Sequence, residues 1–178
     1  MVTESSPLPL QKLSLILGGA ASGKSAFAER LLFGHSPRTY VATLEARDAE
    51  MEVKAARHRA LRGEGWRTVE APLDAAGAVV AAPGAVLLDC ATLWLTNQML
   101  GEHDLAVEEE RLLAALAAAR GPVVVVSNEL GLGLVPETAL GRRFREAQGR
   151  LNQRLAGAAG LVVFVAAGLP LVLKGTLP

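Results

Sequence analysis

A glycine-rich segment near the start of the chain contains the residues whose chemistry is clearest. It consists of eight consecutive residues: Gly18, Gly19, Ala20, Ala21, Ser22, Gly23, Lys24 and Ser25. A glycine, four variable positions and then Gly-Lys-Ser is the pattern of a P-loop, in which backbone N–H groups surround a phosphate. Glycines permit that backbone path, and a helix that begins at the end of the loop favours an anion. The segment therefore predicts a binding site for a nucleoside triphosphate.

Two side chains of this segment and one acidic residue predict how the phosphates are held. Lys24 is expected to reach the β- and γ-phosphates, and the Ser25 hydroxyl is expected to ligate Mg²⁺. Asp89 follows the apolar run 85–88 and would supply a second Mg²⁺ contact from the end of a neighbouring strand. The alternative role for Asp89 is the N-cap of a helix over residues 91–100.

A histidine among cations is a candidate nucleophile. His58 stands between Arg57 and Arg59 in a polar segment, residues 48–62, that is expected to form a helix away from the sheet. Like charges disfavour protonation, so the imidazole should stay neutral and nucleophilic at pH 7, while the same cations could hold a polyphosphate beside it. The alternative is a solvated surface histidine. His35 and His103 lack such surroundings and are interpreted as surface residues.

A layered α/β fold would position these residues. Short runs rich in valine, leucine and isoleucine recur at 13–17, 40–42, 86–88, 123–126 and 161–165, each followed by a helical pattern. Runs that are apolar at every position are typical of parallel strands with helices on both faces. We therefore expect a P-loop NTPase-like three-layer sandwich with a mostly parallel central sheet, with ligands at the carboxyl ends of the strands. Helices are expected over 104–120 and over 137–156, where five arginines favour a solvated face.

Composition sets further limits on the fold and its partners. The 178 residues are 51% apolar, which predicts a single domain over residues 1–178 with residues 1–11 as a flexible arm. The 18 basic and 18 acidic residues cancel, so no overall field attracts nucleic acid or an anionic membrane. One cysteine, the lack of a signal peptide pattern, and apolar stretches far short of roughly 20 residues predict a cytoplasmic protein.

Together, these segments resemble one family along nearly the whole chain: the bifunctional adenosylcobinamide kinases / adenosylcobinamide-phosphate guanylyltransferases of cobalamin synthesis. The resemblance rests on the P-loop, on Arg57-His58-Arg59 ahead of Trp66-Arg67-Thr68, and on the run of residues 128–137. It implies phosphorylation of the aminopropanol hydroxyl of adenosylcobinamide, followed by transfer of GMP from GTP to adenosylcobinamide phosphate. The products of the second reaction would be adenosylcobinamide-GDP and pyrophosphate. GTP, ATP and Mg²⁺ are implied as ligands, and a homo-oligomer, for example a trimer, as the assembly.

The resemblance also assigns residues to roles. The guanylylated histidine of the family falls on His58, and Lys24 would neutralise the departing pyrophosphate. Nucleotide contacts beyond the P-loop are expected at nine positions: Ala42, Thr43, Leu44, Arg59, Ala60, Leu61, Arg62, Glu70 and Asp89. Asn97, Asn128 and Glu129 are candidate contacts for the corrinoid or the base, with strand-end caps as the alternative.

Two other classes of function remain open from the sequence. A kinase of another small hydroxylated metabolite would transfer a phosphoryl group without a covalent step at His58. A non-catalytic nucleotide sensor would bind a triphosphate and show no turnover with any corrinoid. The sequence has no Asn-Lys-x-Asp guanine signature and no threonine-marked switch segment, which disfavours a regulatory GTPase.

Overall fold

One sheet of seven strands organises the computed structural model, which describes residues 9–45 and 65–178. The strands are β1 (Leu13–Gly18), β2 (Arg38–Ala42), β3 (Trp66–Glu70), β4 (Ala85–Asp89), β5 (Val123–Asn128), β6 (Leu161–Ala166) and β7 (Leu169–Lys174). The described helices are α1 (Lys24–Leu31), α2 (Ala75–Ala81), α3 (Ala91–Leu100), α4 (Leu105–Ala118) and α5 (Ala139–Ala158).

The strand order is β3-β2-β4-β5-β1-β6-β7. Every neighbouring pair is parallel except β6 and β7, which form an antiparallel hairpin at one edge. The expected P-loop NTPase-like α/β sandwich with a mostly parallel sheet is therefore confirmed. The parallel arrangement brings the carboxyl ends of β1 to β6 to the same side of the sheet.

Each face of the sheet has its own apolar core, because alternate strand residues point to opposite sides. On one face, which we call the α1 face, Val126 of β5 belongs to the same core as Phe27 and Leu32 at α1. On the other, the α5 face, Val125 belongs to the core that contains Trp94 of α3, Leu112 of α4 and Leu151 of α5. These two cores make the structure three layers deep.

Polar side chains fix where the helices begin. Asp104 accepts hydrogen bonds from the N–H groups of the first turn of α4, and Thr138 does the same for α5. The N-cap of α3 is Cys90, whose sulfur accepts from the Leu93 N–H, so the alternative role of Asp89 as that cap is wrong. None of the helices in the described ranges combines the length and apolar character that crossing a bilayer requires.

The basic face of α5 is exposed at Arg142, Arg143 and Arg150, as expected, but several of its arginines also contact neighbouring segments. Arg154 forms ion pairs with Glu109, at 2.8 Å, and Glu110 of α4. Arg142 and Arg145, near the start of α5, donate hydrogen bonds to backbone carbonyls of the loop that precedes the helix. These arginines therefore join α5 to its neighbours.

Candidate functional site

Five strand ends bring candidate site residues from distant parts of the sequence to one edge of the sheet. In the strand register, Ala42 of β2 lies opposite both Glu70 of β3 and Asp89 of β4, and Gly18 of β1 lies opposite Asn128 of β5. Adjacent strands are about 4.8 Å apart, so these residues form a staggered row in which Asp89 is level with Val126, two positions before Asn128. We call this row the carboxyl edge.

The P-loop runs from the end of β1 to the start of α1. A Cβ atom at Gly18 would lie 2.5 Å from both the Ser22 Oγ and the Val165 carbonyl oxygen, so a side chain does not fit there. Gly23 has a φ of +90°, in the left-handed region that favours glycine. The loop therefore requires glycine at these two positions to reach α1 along its observed path.

The Lys24 side chain folds back over the P-loop. Lys24 is 9% exposed, and its Nζ donates a hydrogen bond of 2.9 Å to the carbonyl oxygen of Gly19. Ser25, half-buried, follows in the first turn of α1. The N-terminus of a helix favours anions, and a lysine ammonium adds a full positive charge. The loop, the lysine and the helix end therefore combine the geometry and the charge that binding of a phosphate group requires.

A carboxylate lies at the same edge of the sheet, at the end of β4. Asp89 is half-buried and accepts a hydrogen bond from the hydroxyl of Tyr40, which is almost completely buried in β2. Mg²⁺ in nucleotide sites is held by one or two carboxylates with hydroxyl, water and phosphate oxygens. The hydroxyl of Ser25 and the carboxylate of Asp89 fit that chemistry. Within residues 9–45 and 65–178, no group of three or more His, Cys, Asp and Glu side chains is arranged to hold a metal.

The one cysteine of the chain adjoins the site but is not a nucleophile at neutral pH. Burial, assisted by the negative charge of Asp89, raises the pKa of the Cys90 thiol to about 11. The positive charge of Lys24 opposes this rise in the pKa. The thiol is therefore protonated under ordinary conditions.

The segment after β2 is anchored mainly by internal hydrogen bonds. Thr43 is completely buried, and its Oγ1 both donates to the Cys90 carbonyl and accepts from the Cys90 N–H, each at 2.8 Å. Asn97, a candidate ligand contact from the sequence, donates to the carbonyls of Thr43 and Pro72 instead. Leu44 is half-buried and Glu70 is exposed. Both amide protons of Asn97 are therefore donated within the fold, which leaves neither of them for a ligand.

Several predicted site residues lie outside the described residues: His58, Arg59, Ala60, Leu61 and Arg62. Their roles as nucleophile and nucleotide contacts remain predictions. Of the two other histidines, His103 is exposed, with its Nδ1 2.5 Å from the Gln98 Oε1, and His35 is half-buried.

A buried polar cluster behind β5 was not predicted from the sequence. The Ser127 hydroxyl lies between two amides of α5: it donates to the Asn152 Oδ1 at 2.7 Å and accepts from the Gln148 Nε2 at 2.9 Å. Thr92 of α3 completes the cluster, 3.4 Å from the same hydroxyl. The sequence does contain one signal for this cluster: Gln148 and Asn152 are four residues apart, a spacing that places both amides on one face of a helix.

The loop between β5 and α5, residues 129–138, is held by arginines but exposes apolar side chains. Arg145 donates to the carbonyls of Gly131, Gly133 and Leu134 at 2.7 to 3.2 Å. Leu134 itself is 97% exposed. The Glu129 N–H donates to the Gly18 carbonyl at 3.2 Å, so the loop begins directly beside the P-loop.

Comparison with known proteins finds one matching family model and several similar proteins. The family model described as "Cobinamide kinase / cobinamide phosphate guanyltransferase" matches residues 14–173. The "Bifunctional adenosylcobalamin biosynthesis protein CobP" of Pseudomonas aeruginosa is 45% identical over 167 residues, which cover 90% of this chain and 96% of the relative. The "Bifunctional adenosylcobalamin biosynthesis protein CobU" of Escherichia coli is 39% identical and that of Salmonella typhimurium 40% identical, each over 90% of this chain and 98% of the relative.

A solved structure shows a likeness in fold alone. The crystal structure of the RadB recombinase superposes with a TM-score of 0.51 at 20% identity, covering 85% of this chain and 73% of that one. At this identity the likeness supports the layered α/β architecture.

Proposed function

Because the chain belongs to the cobinamide kinase / cobinamide phosphate guanyltransferase family, we propose that both reactions of that family take place at its carboxyl edge. The chain is a bifunctional transferase of cobalamin biosynthesis. It phosphorylates adenosylcobinamide on the aminopropanol hydroxyl, and it transfers GMP from GTP to adenosylcobinamide phosphate. The observation that carries the choice of site is the row of strand ends in which the P-loop and Asp89 lie on the same edge.

The nucleotide is held through its phosphates. The N–H groups of residues 18–25 surround the β- and γ-phosphates, and the Lys24 ammonium leaves the Gly19 carbonyl to contact them. Ser25 and Asp89 would hold Mg²⁺, which supplies neutralisation of phosphate charge when it is bound. Ala42, Thr43, Leu44 and Glu70 line the nucleotide from the ends of β2 and β3, with Arg59, Ala60, Leu61 and Arg62 as further contacts.

In the kinase reaction the aminopropanol oxygen attacks the γ-phosphorus of the nucleotide. The bond from the γ-phosphorus to the bridging oxygen breaks, the nucleoside diphosphate leaves, and the hydroxyl proton passes to solvent. Lys24 stabilises the charge that develops on the phosphoryl oxygens. Positioning and electrostatics account for most of the catalysis in such transfers, which fits a rigid loop at a helix N-terminus.

In the guanylyl reaction His58 is the nucleophile. An imidazole nitrogen attacks the α-phosphorus of GTP, the bond to the bridging oxygen breaks, and pyrophosphate leaves with its charge offset by Lys24. A phosphate oxygen of adenosylcobinamide phosphate then attacks the same phosphorus and releases the imidazole. The arginines on either side of His58 support this role because they disfavour protonation of the ring and attract phosphates.

The assembly completes the proposal. We propose that residues 1–178 form one domain and that the active unit is a homo-oligomer, with a neighbouring subunit contributing to the site. The expected polar helix of residues 48–62, which includes His58, supports this arrangement. Sedimentation of the full chain, with and without GTP, measures the oligomeric state directly.

A labelling experiment tests the covalent step. The protein is incubated with GTP labelled at the α-phosphate, and acid-labile label on the chain is measured in wild type, His58→Ala and His103→Ala. The His103→Ala variant is the matched control, because that histidine is exposed and bound only to Gln98 among the described residues. We expect label in the wild type and control and none in His58→Ala. Retention of label in His58→Ala would exclude the histidine intermediate.

A further inference from the structure

Asn128 lies at the carboxyl edge between the P-loop and the carboxylate of β4. Its strand, β5, is placed between β4 and β1 in the sheet. Asn128 is opposite Gly18 on one side, and on the other side Asp89 is opposite Val126, two positions earlier in β5. Because Asn128 lies beside the first residue of the P-loop, a phosphate group held by that loop lies close to the end of β5.

The alternation of side chains turns Asn128 toward the phosphate side of the sheet. Val124 and Val126 of β5 pack in the α1-face core with Phe27, and Asn128 has the same parity along the strand. Ser127, of opposite parity, is hydrogen-bonded to Gln148 on the α5 face. The carboxamide of Asn128 thus shares a face with α1, the helix whose first residue is Lys24.

The backbone of Asn128 is held on both sides. Its N–H donates to the Thr92 Oγ1 at 2.8 Å, and its carbonyl accepts from the Asn152 Nδ2 at 3.0 Å. Asn152 is itself fixed by Ser127 and Gln148, at 2.7 and 2.9 Å. The buried polar cluster therefore determines where the end of β5 stands.

The side chain of Asn128, in contrast, is half-buried and has no hydrogen-bond partner within residues 9–45 and 65–178. A carboxamide provides two N–H donors, and those of Asn128 are accessible, since its amide is not among the buried side-chain atoms that lack a partner. A fixed backbone with free donors is the arrangement expected of a group that binds a ligand.

We propose that the Asn128 carboxamide donates a hydrogen bond to the γ-phosphate of the bound nucleotide and stabilises its charge during the kinase reaction. This inference rests on the proposed function of the carboxyl edge. The amide transfers no proton; it adds a neutral donor where charge spreads over the γ-phosphoryl oxygens. Thr92 and Asn152 are positioning residues, since they act through the backbone of Asn128.

Nucleotide affinity tests the contact independently of any corrinoid. Dissociation constants for GTP and GDP are measured by calorimetry in wild type, Asn128→Ala, Asn128→Asp and the control Gln153→Ala, an exposed amide on α5. Loss of a hydrogen bond to a charged group predicts about tenfold weaker GTP binding in Asn128→Ala. The effect should be larger in Asn128→Asp, whose carboxylate repels phosphate, while GDP binding stays within about twofold. Equal losses for GTP and GDP, or no loss for GTP, would overturn the assignment.

Kinetics separate this inference from the proposed function. In Asn128→Ala we expect kcat of the kinase reaction to fall about 100-fold, as when one oxyanion donor is removed, with the rate of protein guanylylation changed much less. Thr92→Val should reproduce part of the kinase defect, and Thr92→Ser should restore it. A wild type that forms no phosphorylated cobinamide contradicts the proposed function, whereas an Asn128→Ala variant with a normal kinase kcat contradicts this inference alone.

Discussion

The hydroxyl of Thr43 makes two hydrogen bonds to one residue, Cys90: it donates to the Cys90 carbonyl and accepts from the Cys90 N–H, both at 2.8 Å. Thr43 follows β2, and Cys90 connects β4 to α3. The Thr43 N–H also donates to the Asp89 carbonyl at 3.1 Å. Thr43 therefore fixes the N–H and carbonyl of Cys90 through its side chain and the carbonyl of Asp89 through its own backbone N–H. Because the single proton of its hydroxyl is donated to the Cys90 carbonyl, the Thr43 side chain holds this backbone in place and has no further proton to donate to a ligand.

Replacement of Thr43 by valine should destabilise the protein. Valine keeps the shape of threonine but leaves the buried N–H and carbonyl of Cys90 without this partner, which costs about 2 to 4 kcal/mol. Thr43→Ser keeps the hydroxyl and should cost about 1 kcal/mol or less. The free energy of unfolding from urea denaturation measures both. Equal stabilities of the two variants would show that the paired hydrogen bonds contribute little.

Replacement of Tyr40 by phenylalanine should weaken the response to Mg²⁺. The Tyr40 hydroxyl donates to the Asp89 carboxylate, so its removal frees the proposed metal ligand to rotate. Outer hydrogen bonds of this kind typically affect metal affinity by about tenfold or more. We expect the Mg²⁺ concentration for half-maximal kinase activity to rise several-fold in Tyr40→Phe. The ring remains, with its edge-on contact to Trp66 at a centroid distance of 5.9 Å, so the core should be preserved. An unchanged Mg²⁺ dependence would contradict this role of Asp89.

The central strands could be predicted from the sequence because burial on both faces requires apolar residues at every position. The runs 86–88 and 123–126 lie within the observed strands β4 and β5. The edge strands β3 and β7 were not predicted, since one side of an edge strand meets no neighbouring strand and its composition is mixed. In β3 every residue is exposed or half-buried, and in β7 all six are exposed.

The candidate site divides in the same way between local and distant information. The P-loop is contiguous in sequence, and Asp89 follows an apolar strand, so local patterns are sufficient to propose both as site residues. The N-cap of α3, considered from the sequence as the alternative role of Asp89, is Cys90, because the backbone at the end of β4 decides which of the two residues occupies that position. The contact of Asn152 with the end of β5 joins residues 24 positions apart, which no local pattern predicts.

Arg145 should control the exposure of the loop between β5 and α5 to proteases. Its guanidinium donates to the carbonyls of Gly131, Gly133 and Leu134, and Arg145→Ala releases all three. We expect chymotryptic cleavage after the leucines of this loop to accelerate about fivefold or more, identified by fragment masses. Arg143→Ala is the matched control: Arg143 is exposed on the same helix, and no hydrogen bond fixes it within the described residues. Similar cleavage rates in the two variants would show that the arginine does not restrain the loop.

Addition of a single methyl group at Gly18 should disrupt the P-loop. The Cβ of Gly18→Ala would lie 2.5 Å from the Ser22 Oγ and 2.5 Å from the Val165 carbonyl oxygen, and the second of these belongs to the backbone of β6. The end of β1 must therefore shift, at a cost of about 1 to 3 kcal/mol typical of overpacking. In Gly19→Ala, the matched control, the added Cβ meets nothing within 4 Å in the described structure. Urea denaturation of the two variants should give a lower free energy of unfolding for Gly18→Ala and a nearly native value for Gly19→Ala. Equal free energies of unfolding would mean that β6 can move to accommodate the methyl group without loss of stability. That result would contradict the rigid P-loop on which the proposed phosphate binding depends.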